Sequence, residues 1–166
     1  MIVNIALLTV TDTRTLKNDK SGNILVDKIS KANHNLVDRK ICKDSKKSIK
    51  KILKDWTKKK KIDVIITTGG TGLTGRDITP EALDEIADKH IPGFGEIFRT
   101  ISLNTVGTSS IQSRACAILA NGKYIFALPG SSGGVTDAWD EILVHQLDIN
   151  HKPCNFVELF PRLKEK

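Results

Sequence analysis

The sequence predicts an α/β fold, a three-layer αβα sandwich around a mainly parallel sheet with an antiparallel hairpin at one edge. Strand-like and helix-like segments alternate along the chain, as they do in parallel sheets. A glycine-rich loop directly follows the third predicted strand. The dipeptide Asn121-Gly122, which favours a tight hairpin turn, separates two short apolar segments. Residues 1–166 are predicted to form one domain, since no linker or internal repeat divides them.

The first half of the chain contains three predicted strands and two predicted helices. Ile2–Val10 is an almost continuous apolar run, typical of a buried strand, and Ile24–Ala32 carries apolar residues at helical spacing. Asn35–Cys42 is the second predicted strand, and Ser45–Lys60 is a predicted amphipathic helix. Ile62–Thr68 is rich in β-branched residues and is the third predicted strand.

The second half of the chain opens with a helix signal after the glycine-rich loop. Thr79 is the predicted N-cap and Pro80 the first helical residue, because proline needs no amide partner there. This helix is expected to extend to about Lys89. The remaining predicted elements are a helix at Glu96–Ser102, hairpin strands at Ala115–Leu119 and Tyr124–Leu128, and a last helix at Val135–Leu147.

The net charge of +7 raises the question of nucleic-acid binding, but the charge is concentrated in one segment. Nine lysines and one aspartate lie within Lys46–Lys61. In the same segment, the apolar residues have the spacing of one helix face: Ile49, Ile52, Leu53 and Trp56. The lysines are therefore expected to form the solvated face of a helix. Nucleic-acid binding stays the weaker alternative, since a basic helix without interleaved aromatic residues more often faces solvent.

Cysteine usage and hydropathy predict a cytoplasmic protein without a membrane segment. Cys42, Cys116 and Cys154 are far apart and form no CxxC pair, which favours reduced thiols. The four histidines lack the spacing of zinc ligands. The N-terminus carries no basic segment ahead of its apolar run, and no stretch is long and apolar enough to span a bilayer.

Polar loops follow the predicted strands, and they are expected to meet at one edge of the sheet. Asp12 follows the first strand, Asp44 the second, the glycine-rich loop Gly69–Asp77 the third, and Pro129–Ser131 the last. Ligands of open α/β sheets bind beyond the carboxyl ends of the strands, where these loops begin. The alternative for the two aspartates is that each only turns the chain or caps a helix.

The glycine-rich loop matches neither of the two common nucleotide-binding motifs. Gly70, Gly72 and Gly75 satisfy G-x-G-x-x-G, but the dinucleotide fingerprint follows the first strand and places its last glycine inside the helix. A P-loop requires Gly-Lys followed by Ser or Thr, whereas this chain has Arg76 and Asp77 there. Asp77 would take the position of the hydroxyl that binds Mg²⁺. A Rossmann site and a Walker A loop are therefore both disfavoured.

The loop nevertheless has the chemistry of a phosphate site. Glycines let backbone amides approach an anion closely, and Arg76 adds positive charge. Asp77, with Asp44 on the neighbouring loop, is able to hold a Mg²⁺ ion that bridges to phosphate oxygens. Amides, a cation and carboxylates suit phosphoryl or nucleotidyl transfer, where positioning and charge neutralisation provide most of the catalysis. The alternative is a flexible loop with Asp77 as a helix-flanking residue.

Several longer segments resemble the molybdopterin-binding MoaB/Mog family of molybdenum cofactor biosynthesis. They are TDTRT at 11–15, DKSGNIL at 19–25, TTGGTGLTGRDITPEAL at 67–83, IPGFGEIFR at 91–99, GTSSIQSRA at 107–115, FALPGS at 126–131 and PCNF at 153–156. The resemblance covers nearly the whole chain. GTSSIQSRA and PCNF make the sequence more similar to the MoaB branch than to the Mog branch.

The resemblance implies a cytosolic α/β sandwich that assembles as a homotrimer or as a hexamer of two trimers. It implies transfer of AMP from Mg-ATP to the terminal phosphate of molybdopterin, with release of pyrophosphate. The adenylylated pterin would then go to a downstream metal-insertion protein. The alternative is a non-catalytic protein of the same pathway that binds or carries molybdopterin.

The resemblance also implies roles for individual residues. Asp44 and Asp77 correspond to the functional acids of the family and are the predicted catalytic residues and Mg²⁺ ligands. The predicted nucleotide- and phosphate-binding residues are Gly69, Gly70, Thr71, Gly72, Arg76, Pro129, Gly130 and Ser131. The predicted pterin-binding residues are Asp12, Thr108, Ser109, Ser113 and Arg114. Many relatives have proline or lysine after LPGS, where this chain has Ser132-Gly133-Gly134, so a more flexible loop with one cation fewer is expected.

Overall fold

The computed structural model describes residues 1–165, which contain one six-stranded sheet. The strands are β1 (Asn4–Val10), β2 (Asn35–Cys42), β3 (Val64–Thr68), β4 (Lys89–His90), β5 (Cys116–Ala120) and β6 (Lys123–Leu128). Their order in the sheet is β2-β1-β3-β6-β5-β4. The first four strands of this order are mutually parallel, whereas β5 runs antiparallel to β6, and β4 runs antiparallel to β5. The predicted mainly parallel sheet with an antiparallel edge is confirmed.

Helices cover both faces of the sheet. The α-helices are α1 (Lys20–Lys31), α2 (Lys46–Thr57), α3 (Thr79–Asp84), α4 (Pro92–Val106), α5 (Ser132–Ala138) and α6 (Val144–Gln146). A π-helical turn at Trp139–Leu143 joins the last two, and 3₁₀ turns occupy Gly107–Gln112 and Val157–Arg162. Among the helices of residues 1–165, none is long and apolar enough to cross a membrane.

Two separate hydrophobic clusters lie on opposite faces of the sheet and define three layers. In β1, Ile5 and Leu7 belong to one cluster, and Ala6 and Leu8 to the other, and all four side chains are fully buried. Successive strand residues point to opposite faces, so a strand covered on both sides is a continuous apolar run in the sequence. α1, α4 and α5 contribute to the first cluster, whereas α2 and α3 contribute to the second.

The lysine-rich segment is an amphipathic helix, as predicted. Ile49, Leu53 and Trp56 are fully buried in the second cluster. Ser45 is the N-cap of α2, and its hydroxyl accepts a hydrogen bond from the amide of Ser48 at 3.4 Å. The helix ends at Thr57 rather than at the predicted Lys60.

The helix predicted to extend from the glycine-rich loop to Lys89 is shorter. α3 ends at Asp84, and Lys89–His90 instead pairs with β5 as the edge strand β4. Ile78 is the N-cap and Thr79 the first helical residue, and the buried Thr79 hydroxyl donates to the carbonyl of Gly69 at 2.9 Å. Local propensity identified the start of α3, whereas contacts with distant residues determine where α3 ends and what the Thr79 hydroxyl binds.

Two further predictions have different outcomes. The hairpin turn is confirmed: Asn121 (φ 48°) and Gly122 (φ 69°) both have the positive φ of a type I′ turn, which joins β5 to β6. The flexible loop expected at 132–134 is instead the first turn of α5, which therefore begins before the predicted Val135. The Ser131 hydroxyl caps this turn by accepting from the amide of Gly134 at 3.1 Å.

Candidate active site

The loops that follow the parallel strands meet at one edge of the sheet. The amide of Gly69 donates to the carbonyl of Leu128 at 3.0 Å, and the Thr68 hydroxyl donates to the carbonyl of Pro129 at 2.7 Å. Gly130 lies so close to Gly69 that a Cβ on Gly130 would be 3.3 Å from the Gly69 Cα. The loops after β3 and β6 therefore touch, as expected from their positions at the carboxyl ends of neighbouring strands.

Two glycines of the loop lie against the two predicted catalytic carboxylates. Gly70 has a φ of +68°, which disfavours any other residue, and a Cβ there would clash with the Thr79 hydroxyl and lie 3.2 Å from an oxygen of Asp44. A Cβ on Gly72 would lie 2.8 Å from Oδ2 of Asp77. Because these positions carry no side chains, the half-buried backbone of the loop lies directly beside both carboxylates.

Asp44 is half-buried at the start of the turn into α2. Its backbone amide donates to Oδ1 of Asp12 at 3.2 Å, so the loops after β1 and β2 are linked at this point. Burial raises the pKa of the Asp44 carboxyl group above its ordinary value, and the negative charge of Asp77 raises it further. The two carboxylates are therefore close enough to repel each other.

Asp77 is held by its own loop. Its Oδ2 accepts hydrogen bonds from the backbone amide of Thr74 at 2.9 Å and from the Thr74 hydroxyl at 2.6 Å. Burial alone would raise the pKa of Asp77, but the hydrogen bonds from Thr74 and Gly72 outweigh it and lower the pKa below its ordinary value. Asp77 is consequently ionised at neutral pH.

Two arginines that were predicted to bind ligand make contacts within the protein. Arg76 forms an ion pair with Asp12 across the edge of the sheet. Arg114 donates from Nε to the carbonyl of Gly72 and from Nη2 to the carbonyl of Asp77, each at 2.7 Å, and its Nη1 pairs with Glu81. Arg114 thus fixes both ends of the loop from Gly72 to Asp77, which is a supporting role.

A first cavity of about 750 Å³ lies between the glycine-rich loop, α4 with its following 3₁₀ turn, and the start of α5. Among its lining residues, Ser109, Ser113 and Asp77 were predicted site residues, and Phe98 provides an apolar wall. Its lining does not include Thr108, Arg114 or Asp12, which the sequence assigned to the pterin. The remaining predicted residues in this cavity are Gly70, Thr71, Gly72, Pro129, Gly130 and Ser131.

A second cavity of about 620 Å³ lies on the other side of the glycine-rich loop. It holds both predicted catalytic acids together with Asp12, Arg76 and the backbone of the loop. The two cavities share four lining residues: Gly70, Asp77, Gly130 and Ser131. A carboxylate and a glycine-lined backbone therefore stand where two ligands in neighbouring cavities would meet.

Several residues that line the cavities were not predicted from the sequence to be functional. Arg14 and Ser21 line the second cavity, and Ser110, Gln112 and Asp137 line the first. Arg14 lies within the segment TDTRT and Ser21 within DKSGNIL, both of which carried the family resemblance. The two segments indicated the family, but the sequence does not show which distant residues their side chains contact.

The acids at the edge of the sheet fit a metal ion that arrives with a phosphate ligand. Within residues 1–165, no group of three or more His, Cys, Asp or Glu side chains forms a complete metal site. Mg²⁺ characteristically binds through one or two carboxylates and completes its shell with water and substrate phosphates. Asp44 and Asp77 provide two such carboxylates. They repel each other and lie beside the backbone of the glycine-rich loop.

Comparisons with known proteins agree with this fold and show the family. The family described as "Probable molybdopterin binding domain" matches residues 6–149. Molybdenum cofactor biosynthesis protein B of Escherichia coli K12 is 43% identical over 161 residues, which cover 97% of this chain and 93% of that protein.

Solved structures give the same result. A crystal structure of Molybdenum cofactor biosynthesis protein B has a TM-score of 0.90 and 36% identity and covers 100% of this chain and 98% of that chain. The tungsten cofactor synthesizing protein MoaB from Pyrococcus furiosus has a TM-score of 0.77 and 34% identity, covering 86% and 91%. The chain belongs to the molybdopterin-binding MoaB/Mog family of molybdenum cofactor biosynthesis, as the resemblance implied, and is most similar to its MoaB branch.

Proposed function

We propose that this protein transfers AMP from Mg-ATP to the terminal phosphate of molybdopterin and releases pyrophosphate. The observation that carries this proposal is the junction of two cavities at Asp77, Gly70, Gly130 and Ser131. A transfer between two substrates requires that their reacting atoms meet at one point while their remaining parts occupy separate sites. The match to a family described as "Probable molybdopterin binding domain" supports the pterin as one of the two substrates.

The first cavity suits the pterin. Phe98 offers an apolar surface to the flat ring system, and Ser109, Ser113 and Gln112 offer donors and acceptors to its polar edge. In this position the terminal phosphate of molybdopterin would reach toward the glycine-lined junction, where backbone amides favour an anion.

The second cavity suits the nucleotide. Its lining includes Gly69 and Gly70 of the predicted phosphate-binding residues, together with Gly130 and Ser131. Three further residues predicted to bind the nucleotide line the first cavity only: Thr71, Gly72 and Pro129. Arg76 adds positive charge at its rim, and its ion pair with Asp12 is exposed enough to rearrange when an anion binds, since the Arg76 side chain is 74% exposed.

The proposed reaction is a substitution at the α-phosphorus of ATP. An oxygen of the pterin phosphate attacks the α-phosphorus and forms a new P–O bond. The bond between the α-phosphorus and the bridging oxygen to the β-phosphorus breaks, and pyrophosphate leaves with that electron pair. Phosphate oxygens are ionised at neutral pH, so the step requires no general base. The protein contributes alignment of the two phosphates and stabilisation of the developing charge.

Asp44 and Asp77 would hold the magnesium of the nucleotide in this proposal. Mg²⁺ at this position would neutralise phosphate charge and relieve the repulsion between the two carboxylates. The lowered pKa of Asp77 keeps that carboxylate available at neutral pH, whereas burial and the charge of Asp77 raise the pKa of Asp44.

A second candidate function is a carrier that binds molybdopterin without transferring AMP. One observation favours it: Oδ2 of Asp77 already accepts two hydrogen bonds from Thr74, so this carboxylate is partly committed to holding its loop. A carrier would bind the pterin in the first cavity and release no pyrophosphate from ATP. The third possibility, nucleic-acid binding by α2, predicts an affinity for RNA or DNA that falls steeply with salt.

The experiment that separates these functions is direct. The purified protein is incubated with molybdopterin, ATP and Mg²⁺, and pyrophosphate and adenylylated pterin are measured. Asp77→Ala is expected to abolish transfer and to leave pterin binding largely intact, whereas Asp55→Asn on the exposed face of α2 serves as a control for loss of one carboxylate. Equal transfer by Asp77→Ala with magnesium present would refute the mechanism, and tight pterin binding without any product would establish the carrier.

We also propose a homotrimer or hexamer that passes its product to a metal-insertion protein. Four large apolar side chains of α4 and the 3₁₀ turn after it support a self-association surface: Ile97 and Leu103 at 52% exposed, Val106 at 56% and Ile111 at 81%. Analytical ultracentrifugation should give three or six times the mass of the chain, and a monomer at micromolar concentration would contradict the assembly.

A further inference from the structure

Arg14, in the loop after β1, is placed in the second cavity by contacts with two other segments. Its Nη1 donates to the Ser21 hydroxyl at 3.1 Å and to the carbonyl of Gly130 at 3.2 Å. The side chain thus connects the loop after β1, the first turn of α1 and the loop after β6. These contacts fix one end of the guanidinium group at the wall of the cavity.

The rest of the Arg14 guanidinium group has no partner within residues 1–165. A guanidinium group has five N–H donors, and the two contacts of Nη1 leave the donors of Nε and Nη2 without acceptors there. Arg14 also forms no ion pair with a carboxylate of those residues, although Asp12 and Asp44 line the same cavity. Its charge is therefore available to an anionic ligand.

The other arginines beside the two predicted sites are already paired. Arg76 pairs with Asp12, and Arg114 pairs with Glu81 and donates to two carbonyl groups of the glycine-rich loop. Among the described residues that line the second cavity, Arg14 is thus the cation whose charge the protein itself does not compensate. A planar group with parallel donors is well suited to bind two phosphate oxygens at once.

A buried network supports Arg14 from behind. The Ser21 hydroxyl donates to Oδ1 of Asp19 at 3.4 Å, which leaves its oxygen lone pairs to accept from Arg14. Asp19 is fully buried, and its carboxylate also accepts from the Thr9 hydroxyl at 2.6 Å and from Arg39 at 3.0 Å. Because Ser21 is itself fully buried, the hydroxyl that holds Arg14 has a fixed position.

We propose that Arg14 binds the β- and γ-phosphates of the nucleotide in the second cavity, and that Ser21 and Asp19 are the residues that position it. Arg14 lines the second cavity but not the first, and it reaches the shared junction only through its hydrogen bond to the carbonyl of Gly130. Its charge therefore lies on the nucleotide side of the junction and suits the part of the nucleotide that leaves as pyrophosphate, where negative charge develops as the bond breaks. This inference rests on the proposed use of a nucleotide, yet the two can fail separately.

The test is calorimetric binding of Mg-ATP, inorganic tripolyphosphate and AMP to the full chain. Arg14→Ala is expected to weaken binding of ATP and tripolyphosphate by about 10- to 100-fold, the usual effect of losing charge-assisted hydrogen bonds, and to change AMP binding by less than about 3-fold. Arg14→Lys, which keeps the charge but loses the planar donors, is expected to give an intermediate loss. Lys17→Ala removes one charge from the same exposed loop and is the control, with a change below about 3-fold.

Ser21→Ala tests the positioning role. It removes one of the two acceptors of Arg14 but keeps the arginine. A loss of ATP and tripolyphosphate affinity smaller than that of Arg14→Ala, with AMP binding unchanged, therefore supports the proposal. A general structural defect would weaken the binding of all three ligands equally. An equal loss of affinity for ATP, tripolyphosphate and AMP would therefore overturn the role of Ser21.

Other outcomes overturn the assignment of Arg14. One is unchanged binding of ATP and tripolyphosphate by Arg14→Ala, and a second is an equal loss of AMP binding. A wild-type protein that binds neither ATP nor tripolyphosphate also overturns it. By contrast, tripolyphosphate binding that depends on Arg14, together with no AMP transfer to molybdopterin, would support the inference on Arg14 and refute the proposed enzyme activity.

Discussion

The negative charge of Asp77 raises the pKa of the Asp44 carboxyl group on the neighbouring loop, in addition to the effect of burial. The two acids lie far apart in the sequence and are brought together because β2 and β3 flank β1 in the sheet. Gly70 lies against Asp44 and Gly72 lies against Asp77, so the backbone of the loop lies beside both carboxylates.

Asp77→Asn is expected to lower the pKa of Asp44 toward its ordinary value, because the substitution removes the repelling charge while keeping the size of the side chain. Carbon-detected NMR titration of the Asp44 carboxyl group measures this shift. Burial remains in the variant, so the pKa should stay above the ordinary value of Asp. Asp137→Asn, which changes an acid of the first cavity, is the control. An unchanged or higher Asp44 pKa in Asp77→Asn would contradict the proposed coupling.

The conformation of the glycine-rich loop gives a prediction with a control in the same loop. Gly70→Ala is expected to destabilise the protein by at least about 1–2 kcal/mol, because φ at this position is +68° and a Cβ would clash with the Thr79 hydroxyl. At Gly75, a Cβ would meet no atom within 4 Å, so Gly75→Ala is expected to change stability by less than about 0.5 kcal/mol. Urea unfolding measures both variants, and equal effects would refute the requirement for glycine at 70.

The hydrogen bond from the Thr79 hydroxyl to the carbonyl of Gly69 connects α3 to the glycine-rich loop. Thr79→Val keeps the shape of the side chain but leaves this carbonyl without its partner in a buried position, which is expected to cost about 1–3 kcal/mol. Thr100→Val is the matched control, because the Thr100 hydroxyl donates to the carbonyl of Glu96 on the exposed face of α4. The loss measured by urea unfolding should be clearly larger for Thr79→Val, and a loss no larger than that of the control would refute the role of the bond.

The sequence predicted those parts of the fold that depend on short-range signals. Asn35–Cys42 coincides with β2, and the turn at Asn121-Gly122 was predicted because positive φ at both positions requires such residues. The predicted end of α3 was wrong, because Lys89–His90 pairs with β5 instead of continuing the helix. This pairing joins residues about thirty positions apart, and local propensity does not predict such a contact.

The candidate site was predictable to a similar extent. The position of Asp44 and Asp77 in one cavity was predictable, because both follow parallel strands, where ligands of this fold class bind. The roles of Arg14 and Arg114 were not, because they depend on which carbonyl groups lie within reach: Gly130 for the first, and Gly72 and Asp77 for the second. An arginine in a motif indicates a positive charge, but only the structure shows which groups the guanidinium contacts.

The buried carboxylate of Asp19 gives a prediction on acid stability. Burial alone would raise its pKa, but hydrogen bonds from Thr9, Gly22 and Arg39, with the positive charge of Arg39, lower it below its ordinary value. A carboxyl group whose pKa is lower in the folded state stabilises the protein above its unfolded pKa, about 3.9, and this stabilisation disappears as pH falls below that value through the folded pKa.

Asp19→Asn is therefore expected to cost about 2–3 kcal/mol at pH 7 and less at pH 3. Urea unfolding at the two pH values measures the difference. Asp27→Asn removes an exposed acid of α1, the helix that begins directly after Asp19, and should change stability by less than about 0.5 kcal/mol at either pH. A loss for Asp19→Asn that is the same at both pH values would show that the charge of Asp19 contributes nothing to the fold.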